Sequence, residues 1–529
     1  MRLALLDNLS LPRACLVALF AGALNVLSFA PFFIWPIQII SLALMFLLFI
    51  GHPDWNKKQI AKLGFSYAFG TMALGVSWLT IAMTRYGGMP WLLAILFVSL
   101  LAAYMSLFIM MAFALSRYLQ QRWKLGSYLL LLVLLPALFT LCEYLRSYLF
   151  TGFPWLSVGY AHTISPLSGF APIFGVYGLA GLAATSAGAL ALLLAAWNER
   201  FARCLSLGLI GSIFGVGLGL QSFNWTHAHG SPLTVRLAQG NIDQGEKFSV
   251  EFVDRTLQMY SSMITERSAD IIAVPETAIP ILTSQLPADY LQGLQNFATS
   301  SHSKVFVGVA IDDGNNKYAN SVLGLGANAN DSGYLYRYDK HHLVPFGEFV
   351  PPLFQWFVRM MNIPLGDFSR GDVAQPSFVF KDERIAPNIC YEDLFGEELA
   401  RSFADPDKAP TIMVNLSNIA WFGDTVAIDQ HLHISRMRAL ELGRPMLRAT
   451  NTGATAIINA QGQVTHRLPS AVQGALTAEV FGVHGPITPY AQWVSAFGLW
   501  PLAGLAVLAL LIVAAMAHAS RHGQRRFGP

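Results

Sequence analysis

The sequence predicts two kinds of structure in one chain: a multi-span α-helical membrane domain and a separate α/β domain outside the bilayer. Three observations carry this. Of 529 residues, 54% are hydrophobic and 12% charged, whereas soluble globular domains carry roughly 25% charged residues. Eight apolar runs of about 20 residues are each long enough to cross a bilayer as a helix. One long polar segment, residues 222–490, has the length of a single domain and mixes short apolar strands with helical patterns.

Taken in order, the runs cover about 12–30, 34–51, 64–83, 91–116, 126–146, 170–197, 203–221 and 493–517. The first comes after Arg2 and Arg13 in the manner of a signal peptide, but further spans come at once and no small-residue cleavage site stands out, which predicts a retained helix. Basic residues mark alternate connections. Lys57, Lys58 and Lys62 lie between spans two and three, Arg117, Arg122 and Lys124 between four and five, and Arg200 and Arg203 between six and seven. Arg521, Arg525 and Arg526 come after the eighth, while the other loops hold little beyond Arg85 and Arg146. The positive-inside rule then puts both termini in the cytoplasm and residues 222–490 on the far side, which in a bacterium is the periplasm. The expected division is a seven-helix membrane domain over 1–221, the periplasmic domain over 222–490, and the eighth helix with a basic cytoplasmic tail over 491–529. A net charge of +3, dispersed among loops, gives no nucleic-acid surface.

Within the polar segment, strands are expected at Leu233–Ala238, Ile271–Val274, Val305–Ala310, Ser321–Leu325, Ile385–Ile389, Ile412–Val414 and Ala454–Ile458, and helices at Val250–Ile264 and Tyr290–Ala298. Continuous apolar strands suit a layered fold with both sheet faces covered. Three strand ends carry reactive groups. Pro275 fixes the exit that presents Glu276, Lys340 comes directly after Tyr336-Arg337-Tyr338-Asp339, and Cys390 ends the run Arg384–Ile389 and opens the acidic, helical-looking stretch Tyr391–Leu399. A thiol at a helix start is favoured as thiolate by the dipole. The other cysteines, Cys15, Cys142 and Cys204, lie in apolar runs and leave Cys390 a lone thiol. Each group has a plainer reading, as a small buried hydrophobe for the thiol or a solvated loop charge for the others. Together they compose a base, an oxyanion stabiliser and a nucleophile.

The motifs Pro-Glu-Thr-Ala at Pro275, Tyr-Asp-Lys-His-His-Leu-Val-Pro-Phe-Gly-Glu at Tyr338 and Asn-Ile-Cys-Tyr-Glu at Asn388 resemble the Glu-Lys-Cys motifs of the nitrilase superfamily. Joined to eight spans, they resemble the apolipoprotein N-acyltransferase family of bacterial inner membranes. Thr151–Leu156, Ala420–Asp424, Gln430–Leu432 and Arg436–Pro445 extend the likeness. The resemblance implies a nitrilase-like αββα sandwich, catalytic Glu276, Lys340 and Cys390, and supporting Glu348, Tyr391 and Glu392. It implies a phospholipid acyl donor, a diacylglyceryl apolipoprotein acceptor, a thioester intermediate and no metal or cofactor. Phe248, just beyond Gln239-Gly240-Asn241, stands where the family usually has Trp, and Ile419 where it usually has Asp.

Trp155, Phe248, Phe357 and Trp421 are the candidate substrate contacts. Trp155 also suits an interfacial aromatic belt. Phe357 lies in an apolar stretch, from Phe346 through Phe354, Trp356, Met360 and Met361 to Ile363, that reads either as an arm dipping into the membrane interface or as a helix buried on the domain core. Glu143 and Arg146, three apart near the end of span five, read either as functional charges at membrane depth or, the favoured reading, as a structural pair. His341 with His342, and His431 with His433, are weak metal candidates without zinc spacing. The competing readings are a membrane-tethered amidase, in which water resolves the acyl-enzyme, and a transporter or binding protein, which has no need of the Glu-Lys-Cys set.

Overall fold

The computed structural model describes residues 6, 8–315, 317–326, 336–350, 356 and 368–526, with 520–526 as backbone alone. The chain forms two compact units. One comprises Met1–Ser77, Leu92–Phe223 and Leu499–Pro529, and the other Trp78–Trp91 and Asn224–Gly498.

The first unit is helical, with Leu11–Asn25, Pro36–Gly51, Lys57–Gly75, Trp91–Trp123, Ser127–Arg146, Pro166–Ala195, Arg200–Gln221 and Trp500–Arg526. Among the described residues six helical stretches, the first of them continuing to Ser28, are long and apolar enough to cross a membrane. Polar residues set the ends: Asn56 accepts from the N–H groups of Lys58 and Gln59, while Gln59 reaches back to the Asn56 N–H. Small residues set the packing. A Cβ at Gly22 would stand 1.9 Å from the Tyr67 carbonyl oxygen, and one at Gly70 2.1 Å from that of Leu19, so these two helices meet backbone to backbone.

Two expected spans are redrawn. The run at 64–83 is broken: the helix begins at Lys57, ends at Gly75, and the next segment, Leu79–Tyr86, turns away by 56°. Apolar content alone hides this break, because contacts made from Trp78 onward in the second unit hold the chain there. Trp78 meets Phe422 edge to face at 4.4 Å, and its indole N–H donates to Gln430 Oε1 at 3.2 Å. The last span begins at Trp500 and not at 493, since Gly498, at φ 59°, closes the separate helix Pro489–Phe497.

Among the described residues the second unit has thirteen strands: β1 (His227–Gln239), β2 (Ile271–Ala273), β3 (Ile279–Leu282), β4 (Lys304–Gly314), β5 (Lys317–Leu325), β6 (Tyr336–Asp339), β7 (Phe378–Phe380), β8 (Glu383–Ile389), β9 (Ile412–Ser417), β10 (Met446–Thr450), β11 (Ala456–Ile458), β12 (Val464–Arg467) and β13 (Gly474–His484). One sheet runs β13-β1-β2-β4-β5-β6 with β3 beside β4, and the other β12-β11-β10-β9-β8-β7. Val235, Leu237, Phe306 and Val322 of the first sheet share a core with Ile385, Ile389, Val414 and Leu447 of the second. Helices Val250–Thr265 and Tyr290–Ser300 cover the outer face of the first sheet, against Ile272, Val274, Val305 and Leu325. Helix Val426–Leu442 packs on β10 and β11 of the other. This is the αββα sandwich. The parallel pairs β1–β2–β4 and β8–β9–β10 aim their C-terminal ends toward the loops that carry Glu276, Cys390 and Asn418.

Candidate active site

Glu276 lies just past β2 and Lys340 just past β6, and the fold joins their side chains. Lys340 Nζ lies 3.1 Å from Glu276 Oε1 and 3.0 Å from Glu348 Oε1. Asn320 on β5 donates its side-chain amide to the same two oxygens at 2.8 and 2.6 Å. The outer oxygens are also satisfied: Asn418 N–H donates to Glu276 Oε2 at 2.9 Å, and Val344 N–H to Glu348 Oε2 at 2.8 Å. Lys340 is 1% exposed. Burial alone would raise the Glu276 pKa, but Lys340, the Asn320 amide and Lys247 outweigh it and hold the carboxyl below its usual range. For Lys340, burial works against the ammonium, yet Glu276 and Glu348 prevail and raise its pKa. Close approach puts Glu276 in place. A Cβ on Gly308 of β4 would stand 2.4 Å from the Pro275 carbonyl oxygen, so only glycine lets the Glu276 turn settle on that strand.

Cys390 leaves β8 with φ at 51°, a left-handed conformation that side chains other than glycine adopt at a cost. Its thiol faces Glu276, Lys340, the Ser417 hydroxyl and the Asn418 N–H. The expected helix-start thiolate is corrected here. The chain makes one tight turn, Cys390–Leu394, and then the four-residue Gly396–Leu399, too short for a useful dipole. Burial, and then the Glu276 charge, push the thiol up to about 12. A thiol raised that far stays protonated near neutral pH, so a nucleophilic role for half-buried Cys390 would call for a base.

The residues after Cys390 hold the bend. Glu392 accepts from Ile389 N–H at 2.6 Å, His341 N–H at 2.7 Å, Tyr338 hydroxyl at 2.9 Å and His342 N–H at 3.3 Å, tying the exit of β8 to that of β6. Burial nevertheless raises its pKa to about 7. Tyr391 packs its ring against His342 and Phe395. Behind the bend, buried Asp393 accepts from His431 Nε2 at 2.9 Å, Arg448 Nη1 at 2.8 Å and the Ser435 hydroxyl. Asn415 Nδ2 reaches the Cys390 carbonyl at 3.3 Å. His341 Nδ1 lies 2.8 Å from the Gly371 carbonyl oxygen.

Among the candidate contacts, Phe248 is half-buried, its ring centroid 6.0 Å from Lys247 Nζ. Trp421 is half-buried and meets Tyr86 edge to face at 5.5 Å. Trp155, in the helical unit, is buried and stacked on Phe153. Phe357, with Phe354, Met360, Met361 and Ile363, lies outside the described residues. Glu143 and Arg146 are the structural pair expected: Arg146 donates to the carbonyls of Phe153 and Trp155 at 2.7 and 2.9 Å, and Glu143 accepts from Val158 N–H at 3.1 Å.

Sequence reasoning passed over Lys247, Asn320, Asn418 and the Asp393–His431–Arg448 cluster. Lysine and asparagine in loops or mid-strand read as solvated or edge residues. The signals were the Gln430–Leu432 stretch of the family likeness, where His431 read only as a weak metal candidate, and proximity in the chain of Lys247 to Phe248 and of Asn418 to Ile419, the two departures from the family pattern.

Residues 21–189 match the family model for the apolipoprotein N-acyltransferase N-terminal domain, and residues 234–481 that for carbon–nitrogen hydrolase. A protein of Ralstonia nicotianae named apolipoprotein N-acyltransferase is 44% identical, covering 96% of this chain and 94% of its own. One of the same name from Vibrio vulnificus is 36% identical, covering 92% and 94%. Among solved structures, an amidase from Nesterenkonia sp. aligns with 52% of this chain and 97% of its own, at 14% identity and a TM-score of 0.35.

Proposed function

The chain belongs to the apolipoprotein N-acyltransferase family, and on that premise we propose that it moves an acyl chain from a membrane phospholipid to the N-terminal α-amino group of diacylglyceryl-cysteine in apolipoproteins. One observation carries the assignment of residues: a cysteine at a left-handed strand exit, its thiol raised by burial and by the Glu276 charge, lies beside a buried carboxylate already paired with an ammonium. Glu276 takes the thiol proton as the Cys390 sulfur attacks the ester carbonyl carbon. Lys340 stabilises the oxyanion of the tetrahedral intermediate. The carbon–oxygen bond breaks, the proton passes from Glu276 to the departing oxygen, and lysophospholipid leaves. The acceptor amine then attacks the thioester carbon, its proton passes to Glu276, the carbon–sulfur bond breaks, and that proton returns to the thiolate. The sequence of steps is ping-pong through a covalent intermediate.

Glu348 shares the Lys340 ammonium and orients it, while Glu392 and Tyr391 hold the Cys390 bend. Both substrates are anchored by acyl chains, so a site tied to membrane helices meets them without extracting lipid into water. The alternation of basic loops supports a periplasmic catalytic unit and cytoplasmic termini. Intact-mass measurement after incubation with phospholipid alone tests the reading. The expected product is protein heavier by one acyl group, lost with neutral hydroxylamine. Steady fatty-acid release without an adduct would mean that water resolves the acyl-enzyme, as in an amidase.

A further inference from the structure

Lys247 sits in the loop between β1 and helix Val250–Thr265, where a lysine would ordinarily reach for solvent, yet it is 1% exposed. Its Nζ donates to the Glu276 carbonyl oxygen at 3.2 Å and to the Thr277 hydroxyl at 2.5 Å. Thr277 has φ at 48°, so the ammonium clasps a strained turn next to the base. The loop itself is bolted down. Asn451 accepts from Ile242 N–H at 3.0 Å and donates to the Ile242 carbonyl at 2.8 Å and to Asn418 Oδ1 at 3.1 Å. Asn418 in turn donates its side chain to Gln244 Oε1 at 2.7 Å and its backbone N–H to Glu276 Oε2. Lys247 is thus fixed to Glu276 along two routes.

We propose that Lys247 is a positioning residue of the acyl-transfer site, bracing the Glu276–Thr277 turn and holding a second positive charge against the Glu276 carboxylate. The inference rests on the assignment of Glu276 as base. The charged and titratable groups around it are few. Lys340, with Glu348 beyond it, faces Glu276 from the exit of β6, and Cys390 from that of β8. Exposed Glu246 and half-buried Asp243 share the loop of Lys247, with Asp243 paired to Arg85 at 2.7 Å. Two ammonium groups therefore confront one carboxylate that must stay ionised next to a neutral thiol. Burial lowers the Lys247 pKa to about 7, against the pull of Glu276 and Cys390. Below neutrality the amine is charged, and that is the range in which Glu276 would otherwise begin to take up a proton.

Removing the Lys247 charge raises the Glu276 pKa, so the base is lost at a higher pH and the acid limb of Cys390 acylation moves upward. The test uses the full chain in detergent micelles with a short-chain diacyl phospholipid, tracking thioester formation on Cys390 by intact mass from pH 4 to 8. Lys247→Met removes both brace and charge, Lys247→Gln keeps an amide donor without charge, and Lys247→Arg keeps the charge. Both neutral variants should shift the acid limb upward by about one pH unit, each unit being a tenfold change in proton affinity. Lys247→Met should also acylate about 100-fold more slowly at pH 7, the scale of a misplaced catalytic group. Lys247→Arg should keep the wild-type limb. Wild-type rates and limbs in the neutral variants would overturn the proposal, and so would slower acylation with an unmoved limb, which is what lost packing alone produces. If the neutral variants fail to fold, the Arg variant decides, and an upward shift in its limb overturns the proposal. Cys390→Ala run alongside separates the two ideas: an adduct persisting there sinks the assignment of the nucleophile, whereas its loss there with unchanged Lys247 variants sinks only this inference.

Discussion

At residue scale, the site raises the Cys390 thiol and lowers the Glu276 carboxyl, and the proposed roles of nucleophile and base make distinct predictions. Cys390→Ala should abolish transfer while the protein stays folded and inserted, because the thiol touches the inter-sheet core only at its margin. Cys390→Ser should fail as well, since a hydroxyl is far less acidic than a thiol and Glu276 is held below the ordinary carboxylate range. Turnover of diacylglyceryl lipoprotein by either variant is the measurement, and wild-type rates would remove Cys390 from the chemistry. Glu276→Gln and Lys340→Met should each prevent loading of Cys390 from phospholipid. Loss of one oxyanion donor costs about 100- to 1,000-fold, so a trace of adduct on long incubation fits the Lys340 variant. Glu392→Gln turns an amide donor toward groups that are all donors. Leaving one buried donor unmet costs about 1–3 kcal/mol, so the thermal midpoint should fall, and acylation should fall with it.

At the scale of elements, the legible strands were those with unbroken apolar runs. The strands expected around Leu233–Ala238, Ile271–Val274, Val305–Ala310, Ser321–Leu325, Ile385–Ile389 and Ile412–Val414 appear as β1, β2, β4, β5, β8 and β9, and Ala454–Ile458 appears two residues shorter, as β11. Interior β10 escaped because Arg448 and Thr450 interrupt its apolar character, although tertiary partners bury both. Edge strand β13 escaped because its exposure alternates. Helix Val426–Leu442 has almost no apolar stripe, since its buried face includes Gln430, His431, Ser435, Arg438 and Glu441. Gln430, His431 and Ser435 find partners on other elements, and Arg438 pairs with Glu441 along the helix, pairings that apolar periodicity does not reveal. The contact between β4 and the Glu276 turn is testable. Gly308→Ala places a methyl group against the Pro275 carbonyl, so the turn must move. Acylation of Cys390 should drop by at least about tenfold, with the far-UV spectrum unchanged, given the sensitivity of rate to small displacements of a catalytic group. An unaffected rate would mean that the strand yields and the turn does not.

At the scale of the whole molecule, hydropathy identified the helical unit and basic loops predicted its orientation. Reporter fusions after residue 230 should register the periplasm, and fusions after Lys58 or Lys124 the cytoplasm. A cytoplasmic signal at 230 would overturn the proposed topology and with it access to exported lipoproteins. The same hydropathy merged two pieces that the fold separates, Lys57–Gly75 and Leu79–Tyr86, because a 20-residue average registers apolar content and not a 56° bend. The segment Trp78–Trp91 belongs to the unit that holds the sandwich, where Arg85, Tyr86 and Trp78 meet Asp243, Trp421 and Phe422.

Composition and residue order were enough for apolar stretches that can cross a bilayer, for strands buried on both faces, and for the strand-end positions of Glu276, Lys340 and Cys390. These features are local in origin, set by hydrophobicity, by proline at a strand exit and by the succession of residues. The protonation of the site and its reinforcement arise only in the folded molecule. The thiol is neutral because burial and Glu276 surround it, and Glu276 is ionised because Lys340, Asn320 and Lys247 converge on it from separate parts of the chain. Electrostatic interactions depend on distance through space and on exclusion of water. Residues 29 to 142 positions apart in the chain therefore act on Glu276 only once the strands have paired and the sheets have packed.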